Sequence, residues 1–155
     1  NSQNHFCIFT FFVVGAGLAP ARTGDRKGAA SDFEQSIATS KNDNVVIRSK
    51  ISLAAVCYQM GQWSRAADLY VEVIPRLENK PPTDQIMFYA GAALRRAGKW
   101  RDATNYFARI LHRFPNSPVA ADARSIANGH RLYQVNCAVC HGDLGDANGT
   151  LRQLN

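Results

Sequence analysis

Cys137-Ala138-Val139-Cys140-His141 is the stretch of this 155-residue sequence whose residue types and spacing can do chemistry. Two thiols three residues apart share one face of a helical turn, and Cys-x-x-Cys-His is the spacing of covalent c-type haem attachment. In that chemistry the two sulfurs reach the two vinyl groups of one porphyrin. The imidazole of His141 then becomes the proximal axial ligand of the iron. The site residues are therefore Cys137, Cys140 and His141 for the cofactor, with His141 on the metal.

Other chemistries open to the same residues ask for partners that the sequence does not place nearby. A structural zinc site needs a second ligand pair at finger-like spacing. Cys7 and Cys57 are single residues far upstream in apolar surroundings. A thioredoxin-type dithiol needs a βαβ context, and no strand pattern lies near the motif. A disulfide, or a pair of unmodified thiols, leaves His141 unexplained.

The flanks carry a resemblance. Gly129-His130-Arg131-Leu132-Tyr133 precedes the motif, and Gly142-Asp143-Leu144-Gly145-Asp146-Ala147-Asn148-Gly149 follows it. Together these thirty or so residues resemble the opening of a class I cytochrome c domain. The resemblance implies that Leu132 and Tyr133 pack beside the haem and that Gly129 permits close helix approach. It also implies a second axial ligand, usually Met, well downstream. Only fourteen residues follow His141, and none is Met or His. Residues 118–155 are thus expected to be the start of an incomplete cytochrome c domain, with the distal ligand outside the sequence. Met60, Met87, His112 and His130 all lie upstream and suit helix faces or surfaces better than iron.

The elements that must position this motif are helical. From Ser31 onwards no segment alternates at period two. Ser31 with Glu34 forms a capping-box pattern before Phe33 and Ile37. Asn44 can cap a second helix with Ile47, Ile51, Ala54, Ala55 and Tyr58 on one side and Gly61 as its stop. Trp63 to about Ile74 follows, closed by Pro75 and the Pro81-Pro82 loop. Thr83 or Asp84 opens a helix ending at Gly98, and Trp100 to Phe114 runs to Pro115. Ser117-Pro118 has the form of an N-cap with Pro in the first turn, starting a helix towards Asn128.

The middle of the chain repeats itself at an offset of thirty-seven. Gly61, Trp63, Ala66, Tyr70 and Ile74 fall on Gly98, Trp100, Ala103, Phe107 and Leu111. Periods of this size mark helix–turn–helix units that stack into solenoids. With small Ala54 or Gly91 in the first helix, the pattern resembles tetratricopeptide repeats over residues 24–115. Pro115 stands at the closing proline of the second unit, where the first has Glu78. Gly24, Ala29, Phe33 and Ile37 continue the offset upstream as a weaker copy, with Arg26 at the aromatic position. Ala66 and Ala103 let paired helices approach, while Trp63, Tyr70, Trp100 and Phe107 are core candidates. The resemblance points to the concave face of such an array as a protein-docking surface, where Lys50, Gln59, Arg95 and Arg96 would be presented.

Composition sets the outer bounds. Hydrophobic residues make up 46%, the usual share of a globular protein. The net charge of +6 comes from 18 Lys+Arg against 12 Asp+Glu spread along the chain. No basic block interleaves with aromatics, so nucleic acid is not an expected partner. Residues 6–18 are a mainly apolar run followed by Ala19-Pro20-Ala21, the length and small-x-small ending of a secretory signal over residues 1–21. Asn1 to His5 carries no Lys or Arg. The run is short for a membrane span, so no stable span is expected. Export agrees with the resemblance to c-type cytochromes, which implies haem attachment outside the cytoplasm, and points to a periplasmic or otherwise exported protein.

The sequence therefore reads as an all-α protein, with tetratricopeptide-like hairpins followed by a truncated cytochrome c domain. The expected function is electron transfer to a redox partner protein through one covalent haem c, with the repeats as docking module. No acid/base constellation gathers in the sequence, so an electron carrier is expected rather than an enzyme by itself. A repeat scaffold without functional haem, or the N-terminal part of a larger haem oxidoreductase, are the alternatives.

Overall fold

The computed structural model describes residues 25–78 and 82–143. The expected signal segment, Cys7, Gly24, Pro81 and the glycine-rich stretch after Asp143 lie outside them. Every regular element among the described residues is helical. The chain divides into two compact units, residues 1–79 and 80–155.

In the first unit, α1 spans Arg26–Thr39, α2 Asp43–Gln59 and α3 Trp63–Val73, with a 3-10 turn over Ile74–Leu77. Helix α1 starts earlier than the Ser31/Glu34 pattern suggests. Asp25 accepts a hydrogen bond from the Gly28 N–H at 2.7 Å, which satisfies a free donor of the first turn. Ala29 and Ala30 are buried, so the first turns are already held by packing and Ser31 falls inside the helix. Asn42, not Asn44, caps α2 by accepting from the N–H groups of Asn44 and Val45 at 2.9 and 3.4 Å.

Helix α2 packs on both α1 and α3, which widens its buried face. Ser49, Ile51, Leu53, Ala54 and Cys57 are buried, while Ile47, Ala55 and Tyr58 are only partly covered. The Ser49 and Ser36 hydroxyls pair at 2.9 Å, tying α2 to α1. Arg65 and Glu34 form an ion pair at 2.5 Å, with both side chains about half exposed. Such surface pairs are worth little, typically below about 1 kcal/mol.

In the second unit, α4 spans Thr83–Arg96, α5 Trp100–Arg113, α6 Ala120–Asn136 and α7 Ala138–His141. Helix α6 begins three residues after Ser117. The Ser117 hydroxyl is committed elsewhere, donating to the buried carboxylate of Asp84 at 2.5 Å while accepting from the Val119 N–H. This ties the α5–α6 loop to the first turn of α4. The helix then runs through Asn128 and Gly129 to Asn136.

The thirty-seven-residue repeat is present in the backbone. Gly61 and Gly98 adopt left-handed conformations, with φ of 77° and 78°. After α2, Gln62 N–H reaches Cys57 O and Gly61 N–H reaches Tyr58 O; after α4, Lys99 N–H reaches Leu94 O and Gly98 N–H reaches Arg95 O. This is the same Schellman termination twice. Ala66, Ala103, Tyr70 and Phe107 are fully or almost fully buried. The tryptophans differ from the expected core role: Trp63 is 38% exposed, and Trp100 is partly covered.

Between α4 and α5, an added Cβ at Gly91 would stand 2.8 Å from Cε1 of Phe107. Phe107 is fully buried, and its ring centroid lies 5.8 Å from that of Phe88, so the ring has no room to retreat. Gly91→Ala is therefore expected to lower stability by about 1–3 kcal/mol through overpacking. Gly129→Ala, where nothing lies within 4 Å of an added Cβ, should gain up to about 1 kcal/mol of helix propensity. Urea unfolding of the two variants checks the opposite signs.

Candidate functional site

Helix α6 delivers the motif. Its last turn closes when the Cys137 N–H donates to Tyr133 O at 2.8 Å. Cys137 then leaves helical geometry, with φ −124° and ψ −34°, and becomes the residue before α7. Its carbonyl accepts from the N–H groups of Cys140 and His141 at 3.1 and 2.9 Å. The whole Cys-x-x-Cys-His segment is therefore wound into one turn around a single carbonyl. Gly142 ends the turn at φ 76°. The Tyr133 hydroxyl donates to Gly142 O at 2.7 Å, fastening the chain beyond the motif back onto α6.

Cys137 and Cys140 are free thiols, the first half-buried and the second exposed. His141 is exposed. The surrounding apolar side chains are not covered either, with Leu132, Val135 and Val139 at 51%, 67% and 45% exposure. Among the described residues no three His, Cys, Asp or Glu side chains converge to hold a metal ion. Nothing lies against Gly129, so the close helix approach implied for it is not made among the described residues.

A cleft of about 320 Å³ opens beside this segment within the second unit. Arg95 and Trp100 line it from the repeat; Gly129, His130 and Tyr133 line it from α6, and Asp143 joins them just past the motif. The Trp100 and His130 rings stack with centroids 4.1 Å apart and planes 1° from parallel. The Arg95 guanidinium carbon stands 5.9 Å from the Trp100 ring centroid. Its Nε is buried and has no hydrogen-bond partner. This grouping was not legible in the sequence. Trp100 and His130 are thirty residues apart, and only the packing of α6 on α5 brings them together.

The other residues singled out from sequence have structural placements. Met87 is fully buried in the core. Lys50 is paired with Glu72, Gln59 accepts from Arg26, and Arg95 lies over Trp100. These three side chains of the expected docking face are thus engaged within their own units.

Residues 85–117 match the family model of the tetratricopeptide repeat. The region is tetratricopeptide-like and all-helical. It covers α4, α5 and the loop to Ser117, and ends before Cys137–His141 begins. No curated protein and no solved structure matches the chain.

The cysteines should separate chemically. Cys57 is fully buried, and burial pushes its thiol above the usual range; the Arg65 charge opposes this shift and Glu34 adds to it. The thiolate is the reactive form, so in the haem-free chain at neutral pH iodoacetamide should modify Cys137 and Cys140 and spare Cys57 until denaturant is added. Because the folded thiol resists ionising, its stabilising contribution is full below the ordinary thiol range and lost as pH rises through the raised value. Peptide mapping after timed alkylation reads both effects.

Proposed function

We propose that this chain is a tetratricopeptide-like docking scaffold whose last helices carry one covalently attached haem c for electron transfer. The observation that carries the reading is the surface around the motif. Two free thiols and a histidine are wound on one turn, and three large apolar side chains beside them stand in water. Covering a Val or Leu is worth about 1.5–3 kcal/mol each, so a flat apolar macrocycle at this place would be held by more than its bonds.

The residues fit that group. Haem attachment needs two accessible thiols and an imidazole, not three ligands converging on one ion, and the described geometry has the former without the latter. Cys137 and Cys140 would each add across a vinyl double bond, sulfur to one carbon and the thiol proton to the other. His141 would hold the iron on one side. The bound group supplies one-electron exchange. The Cys137 carbonyl and the Tyr133–Gly142 hydrogen bond hold the backbone of the attachment turn in place. Attachment of this kind calls for export, and a redox partner would dock against the repeat or the haem edge.

A scaffold without haem is the second reading, favoured by the tetratricopeptide match over residues 85–117. Expression with a secretion signal in a host carrying c-type maturation machinery separates the two. Intact mass should rise by one haem, with a thioether-type pyridine-haemochrome spectrum, and Cys137→Ala/Cys140→Ala should remain apo. An apo wild-type chain beside a matured control cytochrome would replace this reading with the scaffold alone.

A further inference from the structure

The cleft beside the motif contains an unanswered donor. The Nε of Arg95 is buried without a hydrogen-bond partner, although an unanswered buried donor is costly, and more so on a charged group. Asp143 lines the same cleft yet forms no ion pair with Arg95. The rest of the lining is Ile126, Gly129 and the rings of Trp100, His130 and Tyr133. A ligand suited to this lining has a flat apolar body and a carboxylate. The attachment turn is adjacent: Tyr133 belongs to the cleft and also bonds Gly142, the residue after His141.

We propose that Arg95, presented by the tetratricopeptide-like repeat, binds a carboxylate of the haem attached at Cys137 and Cys140. The inference rests on the haem reading above and extends it. The repeat then forms part of the haem pocket itself, and the edge of the macrocycle enters the cleft against Trp100 and His130. Arginine donors suit carboxylates because the hydrogen bond is charge-assisted. The same cation would act on the iron. The reduced state carries one positive charge fewer, so a nearby guanidinium favours reduction.

The test uses the full chain with haem attachment verified by pyridine haemochrome. Midpoint potentials are measured for wild type, Arg95→Gln and Arg95→Lys, and resonance Raman follows the bending bands of the haem carboxylates. Arg95→Gln should lower the potential and shift a carboxylate band, and Arg95→Lys should recover most of the potential. If both Arg95→Gln and Arg95→Lys bind haem with unmoved bands and potential, the inference is wrong and the haem reading stands. If Arg95→Gln does not fold, the Arg95→Lys band position decides alone, because a lysine cannot reproduce the guanidinium hydrogen bond. No haem on the wild type, beside a matured control, overturns both.

Discussion

The close approach of paired helices is the constraint from which the rest follows. In the second unit Gly91 has no side chain because the Phe107 ring occupies that space. Ala103, Ala90 and Ala93 are likewise fully buried, and the Phe107 ring of α5 also meets the Phe88 ring of α4. In the first unit Ala54 and Ala66 are fully buried, with Tyr70 as the large partner. Small residues facing an aromatic let helices pack near the short end of the usual interaxial range. The left-handed glycines at 61 and 98 make the tight turns that return each second helix onto its first.

Helix α6 connects that packing to the chemistry. It begins thirty-seven residues after α4, at Ala120 against Thr83, so it occupies the place where the first helix of another repeat would start. Its opening turn behaves accordingly, with Ala120 and Ala123 buried. Its closing turns do not, since Leu132 and Val135 are exposed. One uninterrupted helix therefore has a packed beginning and an uncovered end, and the Cys137–His141 turn sits on the uncovered end. No flexible linker separates repeat and motif. A haem on Cys137 and Cys140 would be held rigidly with respect to α5, because Trp100 of α5 is stacked on His130 of α6.

Such coupling changes what a docking module can do. A partner that engages the second repeat would meet a helix that leads directly into the Cys137–His141 turn, so the distance between the two would be set by helix geometry. The expected docking side chains have other partners: Lys50 pairs with Glu72, Gln59 accepts from Arg26 and Arg95 lies over Trp100, each within its own unit. Docking specificity would then come from side chains still facing water, and Leu132, Val135 and Val139 of α6 and α7 are exposed apolar residues of that kind.

Much of this was legible in the residue order, because the signals are local. The Gly-x-Trp-x-x-Ala spacing at 61 and 98 specifies a left-handed stop and a small-residue face without reference to distant chain. Helix α3 and helix α5 start at Trp63 and Trp100 as that spacing predicts. The winding of Cys137–His141 into one turn is local in the same way, since three residues of helix place both thiols on it. The start of α1 and α2 was misread by a few residues, because several Ser, Asp and Asn side chains near each start can cap and packing selects among them. What only the tertiary structure decided depends on contacts across many residues. Ser117 serves Asp84 and not a helix start, Trp100 finds His130, and Arg95 has a buried donor facing a cleft. Each needs two helices to meet, and a linear pattern carries no record of which side chains will be neighbours once they do.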